Sequence, residues 1–155
     1  MQIKIRKSSR LFIVDEKGRL LLFRYHDEHQ APFWATVGGE LINDEDYIDA
    51  EKRELVEETG FNLEIGELLR ERDEVYAIAR STPARWLEKY YLVNSPDEPE
   101  FSKEGWSEEE ENTIQNWKWW SLEGMLTEDS DLFKPSWIPE LLSTVLIRRV
   151  NTQQG

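Results

Sequence analysis

Between Gly38 and Phe61 the chain reads GGELINDEDYIDAEKRELVEETGF, two glycines and then acid after acid on what should be a single helix. Asn43 or Asp44 can cap a helix, and the acids that follow suit the positive end of its dipole. The helix expected over residues 46–59 stops at Gly60, a residue suited to a left-handed cap. Ile48 and Leu55, seven positions apart, supply its core-facing side. Glu54, Glu57 and Glu58 sit at i, i+3 and i+4 and so fall within one face. Like charges at that spacing repel. Such a face is either a solvated surface or the seat of a cation, and hard oxygen ligands suit Mg²⁺ or Mn²⁺. Glu-rich helix surfaces are common, so the three acids alone favour the solvated surface.

The flanking sequence supplies strands. RLFIV, then DEKG, then RLLLFRY reads as two strands joined by a tight polar turn carrying Gly18. Both apolar runs are continuous rather than alternating, which predicts strands buried on both faces. A loop, HDEHQAPF, leads to a short strand WATV and then to Gly38-Gly39, whose bare backbone suits a close approach more than an ordinary turn before the helix. Further strands are expected near 65–80, 86–94 and 114–120, with Pro96 and Pro99 marking a loop between the last two. SWIPELLSTVLIRRV predicts a C-terminal helix over about 136–149, begun by Ser136 and closed by basic residues. Strands on either side of a central helix, with a second helix last, suggest an α/β sandwich rather than a regular βαβ series. A chain of 155 residues is most simply one domain, 1–155, burying roughly 68–70% of its unfolded surface.

Charge and composition narrow the function classes. Nineteen basic residues against 32 acidic give a net charge of −13, which opposes tight binding of a nucleic-acid polymer. The absence of cysteine excludes disulfides, thiolate metal sites and cysteine nucleophiles. MQIKIRKSSR has no apolar core of a signal peptide, and LFIV and LLLF are too short to cross a bilayer. The expectation is a cytoplasmic protein with no membrane partner.

One pattern is far more specific. Gly39, five residues, Glu45, seven residues, Arg53-Glu54-Leu55, one residue, Glu57-Glu58, one residue and Gly60-Phe61 resemble the Nudix box at every defining position. The resemblance continues outside the box, through LLLFRY…PFWATVGGE and GWSEEEENTIQNWKWWSLEGM, and covers most of residues 10–145. It implies an α/β/α sandwich with a mixed sheet, in which the box forms a loop–helix–loop. It also implies a hydrolase that cleaves a nucleoside diphosphate linked to another group, using Mg²⁺ or Mn²⁺. Glu54, Glu57 and Glu58 would then be metal ligands, joined by the backbone carbonyl of Gly38. Arg53 and Glu45 would brace loop against helix, and Gly39 and Gly60 would be structural. Such a site suits the chemistry, because a phosphoanhydride yields only when its oxygens are neutralised and a water is made nucleophilic. Two positions depart from the family: Val37 where Pro is frequent, and Asp44 where Gly is frequent. Asp tolerates the left-handed region better than most residues, so the loop can keep its shape.

Candidates outside the box rest on less. The family draws a base or further ligand from its late loop. Glu108, Glu109, Glu110 and Glu111 compete there, with Glu111 and Glu110 nearest the following strand. Arg24 ends a strand where related enzymes place a phosphate-contacting Arg, though an exposed strand-end charge accounts for it equally. His26 and His29 are read as loop residues in solvent. Trp34 could stack on a base or pack in the core, and core packing is favoured for Trp119. Tyr76 lies sixteen residues after Gly60, where dinucleoside polyphosphate hydrolases of the family carry Tyr. The substrate expected is a nucleoside triphosphate, a dinucleoside polyphosphate or a nucleotide sugar, in a nucleotide-pool housekeeping role. The alternative is a domain that binds nucleotide as a sensor without turnover. Paired subunits are common in the family, and no residue pattern here demonstrates a homodimer.

Overall fold

The computed structural model describes residues 3–27, 30–77, 82–97 and 99–154. In chain order its elements are β1 (Ile5–Val14), β2 (Leu20–Asp27), β3 (Gln30–Glu40), α1 (Tyr47–Thr59), β4 (Leu68–Tyr76) and β5 (Ala84–Asn94). There follow α2 (Glu108–Thr113), β6 (Ile114–Trp120), α3 (Leu122–Leu126) and α4 (Ile138–Gln154). All six strands join one sheet in the order β4-β5-β1-β3-β2-β6. β1 and β5 run parallel and the other neighbours antiparallel, so the sheet is mixed as expected.

The two continuous apolar runs explain the layers. Leu11 through Val14 and Leu20 through Phe23 are all fully buried. Successive side chains alternate between faces. Leu11, Ile13, Leu21 and Phe23 therefore join Val37, Leu55 and Phe61 under α1. Phe12, Val14, Leu20 and Leu22 join Trp34, Ile138, Leu142 and Val145 under α4. The result is an α/β/α sandwich, and each such side chain taken from water contributes about 1.5–3 kcal/mol. No helix among the described residues is long and apolar enough to cross a membrane.

Several local expectations need correction. The cap of α1 is Asp46, which accepts from the Asp49 amide at 2.8 Å, rather than Asn43 or Asp44. The left-handed residue of that loop is Asn43, at φ 52°, and not Asp44. Ile48 is 36% exposed and does not face the core, because the helix turns Ala50 and Leu55 inward along with Glu51, Glu54 and Glu58. HDEHQAPF is not a long loop: β2 runs to Asp27 and β3 begins at Gln30, and β3 continues through Gly38-Gly39. The glycines are therefore strand residues paired with Arg10 and Ser9, not a turn. The acidic run 108–111 is helical, in α2. β4 is shorter than expected, and Arg80 and His29 lie outside the described residues. α4 starts at Ile138, two residues after Ser136, and runs to Gln154, so Arg148 and Arg149 lie within it rather than closing it.

Candidate active site

α1 lies against β1 and β3 so that its inward face meets the paired glycines. At Gly38 φ is 142°, and a Cβ there would collide with the carbonyl oxygen of Ser9. At Gly39 a Cβ would stand 2.6 Å from Glu54 Oε1, so only glycine lets the strand approach that carboxylate so closely. Gly60 ends the helix in the left-handed region at φ 76°, its amide bonded to Val56 O at 2.9 Å.

Arg53 is the hub of the loop. Its guanidinium donates to Glu45 Oε2 at 2.8 Å and Oε1 at 2.9 Å, a two-pronged bond that favours a fixed geometry. It also donates to Glu54 Oε1 at 2.8 Å, Glu57 Oε2 at 3.0 Å and the Glu40 carbonyl at 3.3 Å. The same guanidinium hydrogen bond holds the Glu45 carboxyl below the usual range.

Glu54, Glu58 and Glu110 converge, with one oxygen from each lying within 4.8 Å of the others. Glu54 and Glu58 are buried, at 6% and 3% exposure, and Glu58 Oε2 has no hydrogen-bond partner. Burial, and then the Glu110 and Glu54 carboxyls, push Glu58 well above the usual carboxylate range. Burial also raises Glu54, against its hydrogen bond with Glu58 and the charge of Arg53. A trio of acids, two of them buried and one with an orphaned oxygen, is short of positive charge. All its donors are hard oxygens, so it fits a divalent cation of the Mg²⁺ type. Glu57 stands apart from the trio: it rotates onto Arg53, and its side chain is 45% exposed.

The late-loop acids separate. Glu110 joins the trio because Ser107 caps α2 and its amide donates to Glu110 Oε1 at 2.9 Å, fixing that side chain. Glu111 instead lines an open cleft of about 720 Å³, together with Arg24, Lys103, Trp106, Asn112, Ile114 and Asn116. Among the described residues neither Arg24 nor Lys103 has a carboxylate partner. Trp34 does not reach the trio. It packs under α4 with its ring centroid 5.3 Å from that of Trp120, in the opposite layer. Tyr76 stacks on Trp86 and donates to Glu88 Oε1 at 2.6 Å, at the β4–β5 edge. Trp119 packs in the α1 layer, its ring stacked on Phe61, and His26 is exposed. Sequence reasoning passed over Tyr25, whose hydroxyl lies 3.5 Å from Thr36 O. Burial raises the pKa of that hydroxyl, and the Glu58 charge adds to the effect. Its signal was period two: Tyr25 follows Leu21 and Phe23 onto the α1 face.

With this geometry in hand, comparisons place the chain among known proteins. The model of the NUDIX domain matches residues 4–141. A comparison with curated proteins found no match. Among solved structures the fold is shared with a MutT protein from Methanosarcina mazei, at TM-score 0.68 and 19% identity, covering 96% of this chain and 98% of that one. A dihydroneopterin triphosphate pyrophosphohydrolase from E. coli superposes at TM-score 0.67 with 18% identity, covering 95% and 99%. An Ap4A hydrolase from C. elegans superposes at TM-score 0.65 with 22% identity, covering 92% and 98%.

Proposed function

The chain belongs to the NUDIX family of hydrolases, and from that premise we propose that it hydrolyses a phosphoanhydride bond in a nucleoside diphosphate derivative. The substrate class is a nucleoside triphosphate, a dinucleoside polyphosphate or a nucleotide sugar. The observation that carries this reading is the trio Glu54, Glu58 and Glu110, gathered within 4.8 Å with an unpartnered oxygen on Glu58.

Those three carboxylates would hold a divalent cation, Mg²⁺ or in its place Mn²⁺. Glu57 and the Gly38 carbonyl are the further donors that the box implies. When bound, the cation offsets phosphate charge and acidifies a coordinated water. Arg53 keeps Glu54 in position through its bond to Oε1 and ties it to the loop through Glu45. Glu110, the least buried of the trio, accepts a proton from water as that water attacks phosphorus. The bridging P–O bond then breaks, and its electron pair leaves on the departing phosphate. Arg24 and Lys103, neither paired with a carboxylate among the described residues, bind the phosphate chain. Glu111 is the wall of that cleft, and no substrate contact is proposed for Trp34 or Tyr76. A cytoplasmic setting suits this substrate class and a chain without cysteine.

The test is a panel of such nucleotides incubated with Mg²⁺ and, separately, with EDTA, with phosphate release read after phosphatase coupling. Turnover of at least one class, abolished by EDTA, is expected. A broad panel without turnover would leave a nucleotide-binding role instead.

A further inference from the structure

A helix leaves its last carbonyls without intrahelical donors, and the end of α1 meets this need with the loop that joins β5 to α2. The Gly60 amide serves Val56 O, the Ser102 amide donates to Thr59 O at 2.8 Å, and Trp106 Nε1 donates to Glu58 O at 2.7 Å. Gly105 lies so close beneath the helix that a Cβ there would stand 2.5 Å from Glu57 O and 2.8 Å from Glu57 Cα. The Trp106 ring is boxed in by Phe23, Phe101 and Trp117, with centroids 5.5, 6.3 and 6.2 Å away. Its single N–H is thereby aimed at one carbonyl. The next residue, Ser107, caps α2, and its backbone amide holds Glu110 Oε1. A closed ring of contacts results, from the Glu58 carbonyl through the Trp106 indole and the Ser107 amide to the Glu110 carboxylate, and back to the Glu58 carboxylate.

We infer that Trp106 is a positioning residue: its indole N–H latches the loop onto α1 and thereby sets the distance between Glu110 and Glu58. This inference rests on the trio being the cation site proposed above. The trio draws its third acid from an element about fifty residues distant, and two carboxylates in one buried site repel. Something other than the acids must therefore hold Glu110 in place: the Ser107 amide fixes its carboxylate, and the Trp106 bond and the Gly105 contact fasten that segment to α1. Trp106 touches neither cation nor reacting atoms in this role. It acts through Glu110.

The decisive variant is Trp106→Phe, which keeps an aromatic ring in the box and removes the donor. Gly105→Ala disturbs the same latch from a second point. Mn²⁺ is titrated into metal-free wild type and variants by calorimetry, beside melting curves and steady-state kinetics. For Trp106→Phe a loss of about tenfold in Mn²⁺ affinity is expected, the scale at which outer-shell partners act on metal sites. kcat should fall with it while the substrate KM moves less than about twofold, since Phe keeps a ring beside Lys103 in the cleft. In a Glu110→Gln background Trp106→Phe should add almost nothing, because the two changes remove one interaction. Gly105→Ala should fall in the same direction and also melt somewhat lower than wild type, because its methyl group meets the Glu57 backbone. Wild type that binds no Mn²⁺ would overturn the site and the latch together. Wild type that binds Mn²⁺, with Trp106→Phe and Gly105→Ala binding equally well, would overturn the latch alone. So would full additivity with Glu110→Gln.

Discussion

Glu51 shares the buried face of α1 with Glu54 and Glu58, is wholly buried, and has no hydrogen-bond partner on either oxygen. Burial pushes its carboxyl up to about 9 from an ordinary 4.5. The folded protein thus holds a proton there that the unfolded chain releases. Stability is consequently lost as pH rises from 4.5 towards 9. An unsatisfied buried acid costs about 1–3 kcal/mol. Glu51→Leu is therefore expected to raise Tm by roughly 2–10 °C, with the larger gain at pH 8.5 than at pH 5.5. Melting curves at both values check this, and a lower Tm for the variant would contradict it. The late acids are separated at the same scale. Glu110→Gln is expected to cost about 10²–10⁴-fold in kcat, whereas Glu111→Gln stays within about threefold of wild type. Steady-state rates for the pair decide the matter, and equal losses would refute the assignment. The sequence pointed to four acids in a row and could not rank Glu110 above Glu111 by proximity to β6. The spacing Ser107-x-x-Glu110, a capping box, carried that information: it marks a helix start and binds one particular acid to the cap.

Among the elements, β1, β2 and α1 were legible because each is governed by local rules: continuous apolar runs, a polar turn with Gly18, and a left-handed stop at Gly60. β3 was misjudged because Gly38-Gly39 carry the statistics of a turn, yet serve a strand that must pass close to β1 and to Glu54. Only the neighbouring elements reveal that need. Gly38→Ala tests it. Its φ of 142° is unsuited to alanine, and the added methyl would run into the Ser9 carbonyl. A destabilisation of at least about 1–3 kcal/mol is expected, read as a lower midpoint in urea. An unchanged midpoint would show that the strand yields freely there. α2 went unseen for the opposite reason, since a run of acids looks like solvent-exposed loop until its cap is noticed.

For the molecule as a whole, the sandwich could be anticipated but its strand order could not. β1 pairs in parallel with β5, Ile5 opposite Arg85, a partnership that no local pattern encodes. The same holds for the third carboxylate, which α2 brings to α1 from about fifty residues away in the chain. The resemblance to the box pointed to two of the trio, Glu54 and Glu58, while the Glu57 carboxylate lies on Arg53. Burial raises the pKa of both Glu54 and Glu58, so protons and a cation compete for the same carboxylates. Mg²⁺ at about 100 times its Kd is expected to add about 2.7 kcal/mol of stability, and the Tm gain should be larger at pH 8.5 than at pH 5.5. A gain that shrinks as pH rises would contradict the linkage. Calorimetric titration of Mn²⁺ into metal-free wild type and into Glu54→Gln, Glu58→Gln, Glu110→Gln and Glu111→Gln tests the central claim most directly. Binding by wild type and by Glu111→Gln, with a loss of about tenfold or more in each of the other three, is the result predicted. Undiminished binding by Glu58→Gln, the acid at the centre of the trio, would show that the cation site lies elsewhere.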